Sequence, residues 1–247
     1  EIEKRFYPSA FISLRTGDSV FALPEVQSFN MLFYRTDIFE ENHLSVPDTW
    51  DDFYTVLARL QNGGMQVGIA ENPQIYEMFL LQNGGTLYSS DMRKTRMTED
   101  ASIQAFTSWT DLYVKYGLPV SFDALNRFRT GQMPMVIATS YFYGQVAVGA
   151  PEIAGQWSMA PVPGTRQADG SVNRSEACNV SGAVVLAKST RRTDAFQFLD
   201  WWTSDATQQS FGFESEAKIG VSARYFPANK SGLSTLNWTA DECSRLA

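Results

Sequence analysis

The run Phe29-Asn-Met-Leu-Phe-Tyr34 is apolar at nearly every position, the pattern of a strand covered on both faces of a sheet. Such a strand needs a layer above it and a layer below, and the segments that follow supply them. Pro47-Asp-Thr-Trp-Asp-Asp52 sets an N-cap and acidic first-turn residues ahead of the amphipathic run Phe53 to Leu60, which Gly63-Gly64 closes; Asp37 is placed to cap Ile38 to Glu41. Gln66 to Ala70 reads as strand, and Ile75 to Leu81 as a helix closed by Asn83-Gly84-Gly85. Ser102 to Tyr116 (with Trp109, Leu112 and Tyr113 at core spacing) and Phe122 to Thr130 read as helices, Met133 to Thr139 as strand and Gln145 to Ala150 as helix. This alternation predicts an α/β fold.

Upstream, Ser19 to Pro24 reads as a strand after the turn Thr16-Gly17-Asp18, stopped by Pro24. Downstream come a strand over Trp157 to Val162 and a polar, turn-rich insertion, Gly164 to Glu176, expected to be mobile. Gly182 to Ala187 reads as strand and Thr193 to Thr203 as a helix with Phe196, Leu199 and Trp202 on one stripe. Trp109, Leu112 and that stripe are expected to be packing residues; a well-buried Trp202 cut to Ala would cost ~3 to 5 kcal/mol. Beyond Gly212 the periodicity fades until a helical stretch at 240–246.

The chain has 247 residues, 44% hydrophobic, enough for a sizeable core, and 20 Lys+Arg against 27 Asp+Glu argue against nucleic acid or anionic membrane as partners. A single histidine, His43, read as a solvated loop residue, and two cysteines, Cys178 and Cys243, read as unpaired thiols with a disulfide as the lesser alternative, leave little for a metal centre; no cofactor is expected. No apolar run approaches the ~20 residues that cross a bilayer. The phosphate-loop, dinucleotide and nucleophile-elbow motifs are missing, and a glycosidase pair such as Glu25 with Asp123 is a minor alternative. What remains is aromatic and amide-rich: Tyr76, Tyr141, Phe142 and Tyr143 at element ends, with Gln27, Ser28 and Asn30 as small polar groups. Flat rings that pack on sugar C–H faces, with amides that bond paired hydroxyls, suit a carbohydrate cleft.

The order of segments resembles the family 1 extracellular solute-binding proteins of bacterial ABC importers, the maltose-binding-protein-like group. The words that carry it are Phe21-Ala-Leu-Pro-Glu25, Leu32-Phe-Tyr-Arg-Thr-Asp-Ile-Phe39, Val46-Pro-Asp-Thr-Trp-Asp-Asp52, Leu81-Gln-Asn-Gly-Gly85, Phe128-Arg-Thr-Gly-Gln132, Ala150-Pro-Glu-Ile-Ala-Gly155, Ala160-Pro-Val-Pro-Gly164 and Phe198-Leu-Asp-Trp-Trp-Thr-Ser204. The resemblance implies a periplasmic-binding-protein-like two-lobe α/β fold (type II) with the first lobe incomplete and the chain cut at both ends. Residues 1–28 and 161–221 would belong to the first lobe, and 29–160 and 222–247 to the second, with crossings near 27–30, 159–162 and 220–224.

It further implies an extracytoplasmic binding component, without catalysis, that takes a mono- or oligosaccharide and meets ABC permease subunits, with membrane contact only through them or a lipid anchor. Glu25, Gln27 and Ser28 match the crossing segment on the cleft floor, Tyr76 a contact before the Gln-Asn-Gly-Gly word, Tyr141 and Tyr143 a stacking segment, and Asn179 and Ser181 a cleft edge. If 141–143 is extended, both tyrosines share the cleft face and Phe142 points inward. A peptide, polyamine or phosphorylated polyol ligand, or a sensor domain of a longer protein, are the alternatives.

Overall fold

The computed structural model describes residues 1–70, 72–236 and 238. Its centre is a mixed four-stranded sheet in the order β5-β6-β4-β7, with β4 (Asn30–Arg35), β5 (Val67–Ile69), β6 (Met135–Thr139) and β7 (Trp157–Ala160). Strand β4 runs antiparallel to both neighbours, pairing Asn30 with Thr139 and Arg35 with Trp157, while β5 and β6 are parallel. All six β4 residues are buried, as the apolar run predicts. Leu32 and Tyr34 face one core with Met135 and Ile137. Met31 and Phe33 face the other with Val136 and Met159.

Helices cover each face. On the first lie α2 (Trp50–Asn62), α3 (Pro73–Gln82) and α4 (Asp100–Val114), through Phe53, Leu57, Leu60, Ile75, Met78 and Leu112. Thr49 supplies the expected N-cap of α2, and it does so in a capping box with Asp52. On the second face lie α5 (Ala124–Arg129) and α6 (Phe142–Gly149). The short α1 (Thr36–Glu41) follows β4, but Asp37 does not cap it. Its carboxylate instead takes two bonds from Arg35, at 2.8 and 2.5 Å, and the buried Arg35 also donates to the carbonyls of Phe128 and Arg129.

The chain reaches this sheet from smaller units: a hairpin of β1 (Arg15–Thr16) and β2 (Ser19–Val20) turning on Gly17 at φ 57°, and β3 (Leu23–Ser28), paired antiparallel with β10 (Asn179–Ala183). Pro24 does not stop a strand, contrary to expectation. It lies inside β3 opposite Gly182, where the register shifts, so its missing N–H falls at an irregularity of the ladder. The expected strand over 182–187 shifts accordingly to β10, leaving Val184 and Leu186 exposed.

The segment 164–176 is also different from its expectation. It folds as a hairpin, β8 (Thr165–Arg166) with β9 (Val172–Asn173), pinned to the end of α3. The buried Gln82 side chain accepts from Trp50 Nε1 at 2.8 Å and Thr165 Oγ1 at 3.0 Å and donates to the Pro163 carbonyl at 3.1 Å, while Asn173 Nδ2 reaches the Leu81 and Gln82 carbonyls. Gly164 sits so close to Val172 that an added Cβ would stand 2.4 Å from its methyl carbon, so only glycine fits.

Towards the end, α7 (Arg192–Trp202) is followed by α8 (Asp205–Ile219) and the short α9 (Lys230–Ser234). The stripe on α7 is not covered: Phe196 is 47% exposed, α7 has no buried residue, and Trp202 is half-buried, so the cost of a fully buried Trp does not apply. Trp109 and Leu112 do pack in the core. The helix read at 240–246 and Cys243, with its pairing, lie outside the described residues, and among those residues no helix is long and apolar enough to cross a membrane. Replacing Gln82 by Leu would strand Trp50 Nε1 and the Pro163 carbonyl in the interior, and should lower stability by about 2 to 4 kcal/mol in urea unfolding.

Candidate ligand-binding site

The β3–β10 ribbon brings together five of the residues singled out in sequence. Ser28 pairs with Asn179, Gln27 with Val180, and Val26 with Ser181. Gln27 and Ser28 are buried, Asn179 and Ser181 exposed. Glu25, on the same strand, is already engaged, its carboxylate accepting from Trp202 Nε1 at 2.8 Å.

One residue beyond the ribbon the chain enters β4 at Asn30, so the ribbon abuts one end of the sheet. There Asn30 opposes Thr139, and the Ser140 N–H donates to the Phe29 carbonyl at 2.8 Å. Because β5 runs parallel to β6 with Ile69 opposite Ile137, Asn72 emerges at the same end, two strands from β4, or about 10 Å at the usual strand spacing. Tyr141 follows and is 50% exposed.

The tyrosine pair does not share a face. Tyr141 has helical dihedrals, φ −62° and ψ −21°, and α6 starts at Phe142, so successive side chains turn by helical rather than extended spacing. Tyr143 is buried, packs edge-on against Trp157 and Trp238 at 5.2 and 5.3 Å, and its hydroxyl accepts from Arg224 at 2.8 Å. Phe142 is buried as anticipated. Tyr76 is likewise buried, on α3 against Trp109 and Phe106, away from the ribbon.

What marks this end of the sheet is hydrogen bonding left unmade. Nearly every buried polar group in a folded protein has a partner. Yet both amide atoms of Asn30, which is 3% exposed, the Ser140 hydroxyl, Asn72 Oδ1 and Glu176 Oε2 have none. Asn72 sits at the N-cap of α3 without making a capping bond. Strand β4 shows the contrast within itself, since Arg35 at its far end is saturated. Unpaired donors and acceptors held on rigid elements are what a polar ligand would complete.

Glu176 joins the group from the segment before β10. Burial pushes its carboxyl up to about 8, against a smaller opposing pull from the Asn30 backbone N–H and side-chain amide, neither of which closes a bond of ordinary geometry. Burial, with the Glu176 charge adding to it, also lifts the neighbouring Cys178 thiol to about 11. Sequence reading named Asn30 as a polar neighbour but missed Asn72, Ser140 and Glu176. An Asn-Pro helix start was the one visible signal, for Asn72. Open volumes of about 790 Å³ beside Phe11 and Lys230, 610 Å³ beside Trp201 and Phe211, and 340 Å³ beside Leu87 and Tyr88 involve none of these residues. Among the described residues no three of His, Cys, Asp and Glu gather into a metal site.

The sequence pattern described as bacterial extracellular solute-binding protein matches residues 2–209. The chain belongs to that family. No curated protein sequence matches it. Among solved structures, the sugar-binding protein MalE from Xanthomonas citri shares 17% identity at a TM-score of 0.74, covering 98% of this chain and 63% of its own. The maltose-bound MalE3 of T. maritima shares 19% at 0.70, with coverage of 99% and 63%. An ABC transporter solute-binding protein from Thermotoga lettingae, bound with α-D-tagatose, shares 21% at 0.68, with 94% and 60%. The fold of this solute-binding chain is therefore the α/β two-lobe periplasmic-binding-protein type. It spans about three-fifths of the length of these structures.

Since the folded protein holds the Glu176 proton up to about pH 8 and an unfolded carboxyl releases it near 4.5, the native state binds more protons between those values, and stability falls as pH rises through that window. A Glu176→Gln variant should match the wild-type melting temperature below pH 4.5 and exceed it progressively towards pH 8 and above. Parallel melting curves at both ends of the window would contradict this.

Proposed function

We propose that this chain is the ligand-holding part of the substrate-binding component of an ABC importer, working outside the cytoplasm, and that it binds a carbohydrate between two lobes. The observation that carries the reading is the set of unpaired groups at the sheet end, Asn30, Asn72, Ser140 and Glu176, beside the exposed ring of Tyr141. Each sugar hydroxyl donates one bond and accepts others, which suits a mixed set of amide, hydroxyl and carboxyl groups; a ring laid on C–H faces supplies apolar contact. The maltose and tagatose bound by two structures of the same fold agree in ligand class.

In this reading residues 1–28 and 161–221 belong to the first lobe, and 29–160 with 222–247 to the second. The ribbon carries Ser28, Asn179 and Ser181 on one side of the cleft and the sheet end carries Asn30, Ser140 and Tyr141 on the other, so a ligand touching both favours closure. Gln27 serves from the cleft floor, whereas Glu25, Tyr76 and Tyr143 hold the scaffold. Binding is the activity, without chemistry on the sugar, and the closed form is what permease subunits receive.

A thermal-shift screen of mono- and oligosaccharides tests the reading, because a ligand at 100 times its Kd adds about 2.7 kcal/mol of stability. No shift with any sugar would overturn it. For a sugar that binds, Tyr141→Ala should lose about 1 to 3 kcal/mol of affinity in calorimetry with an unchanged melting temperature. Tyr143→Ala should instead destabilise the fold by about 3 kcal/mol.

A further inference from the structure

Glu176 and Asn30 stand apart from the other unpaired groups because they approach each other and have no charged partner. Among the described residues Glu176 makes no ion pair; Arg174, two residues before it, is paired with Asp48. The other groups placed near the Glu176 carboxyl are uncharged: the Asn30 amide on β4, and Cys178 on its own segment, whose thiol burial holds protonated and whose Sγ lies against Ser28 of β3. Glu176 is only partly buried as a residue, while Asn30 beneath is almost wholly so.

We propose that Asn30 and Glu176 form a subsite that takes two adjacent uncharged hydroxyls of the ligand and turns away anionic groups. The inference rests on the carbohydrate reading and adds to it the charge class of the sugar. Asn30 offers two N–H donors and a carbonyl acceptor, and a carboxylic acid offers one donor and one acceptor, so the pair can satisfy both roles of two neighbouring hydroxyls. An anion at the same place would meet a carboxyl with no Lys or Arg to offset it, and would have to be desolvated there without an opposite charge. The raised proton affinity of Glu176 fits, since the protonated form is the one that donates.

The test uses the full chain with tagatose and maltose as neutral probes and glucuronate as the anionic one, in calorimetry from pH 6 to 9.5. At least one neutral sugar should bind and glucuronate should not. Asn30→Ala and Glu176→Ala should each weaken the neutral sugar about tenfold, one to two hydrogen bonds. Glu176→Gln, which keeps a donor and an acceptor without the charge, should stay within about threefold at pH 7. Wild-type affinity should fall as pH rises through 8, whereas the Gln variant should bind equally across the range, which a merely structural role would not produce. Circular dichroism confirms that each variant is folded. If neither neutral sugar binds the wild type, the carbohydrate reading for these probes fails and takes the subsite with it. If a sugar binds and the Ala variants keep wild-type affinity, or glucuronate binds as well as the neutral sugar, the subsite alone is overturned.

Discussion

Strand β4 is buried at all six positions, and the rest of the described structure is arranged to make that possible. A backbone with no exposed face must have hydrogen-bonding neighbours on both sides and apolar layers above and below. Strands β6 and β7 supply the first, and α2, α3, α4 and α5, α6 the second. The polar residues of the strand are thereby pushed to its ends. At one end Arg35 is tied to Asp37 and to the carbonyls of Phe128 and Arg129, locking strand to helix. At the other, Asn30 is buried as well, but its side-chain amide makes no hydrogen bond. A single strand thus carries opposite ends: polar bonds completed at its carboxyl end, and polar bonds left unmade at its amino end, where the ribbon arrives.

Much of this was legible in sequence wherever one period dominated. The continuous apolar run indicated β4, and the N-cap and acidic first-turn residues ahead of an amphipathic stretch indicated α2, because both signals are local. Helix α8 was missed since its large apolar residues, Phe211 and Phe213, fall two apart and both stay exposed, so no stripe forms; only the capping Ser204 and the terminal Gly220 at φ 97° mark it. Helix α7 shows the converse. Its stripe is real as a pattern, yet a stripe states which face would gain from cover, and cover comes from other elements.

The site was less legible because its residues acquire meaning only through pairing. In sequence Ser28 reads as lying beyond a strand stopped at Pro24, and Asn179 and Ser181 as preceding one over 182–187; the antiparallel register of β3 and β10 is what makes them neighbours. Tyr143 was misplaced by an assumption of extended backbone across a helix start, where a change of period sends a side chain from cleft to core. Glu176 carries no local signal at all. It sits in a polar, turn-rich segment, and only the folding of that segment against Gln82 and of β10 against β3 carries it to Asn30.

On the proposed carbohydrate reading, that arrangement would couple ligand and lobes. Buried polar groups without partners raise the free energy of the ligand-free state, each by about 1 to 3 kcal/mol. A ligand that supplies the missing bonds recovers that cost only while the ribbon and the sheet end are held in register around it. The unpaired groups lie on both: Asn30 belongs to β4 and Ser140 follows β6, while Glu176 belongs to the segment that returns along β3. Under that proposal, affinity and closure would draw on the same interactions. A ligand that satisfied one side alone would gain little, because the other side's groups would remain desolvated and unpaired, and in the proposed reading selectivity would follow from the number of hydroxyls that reach both.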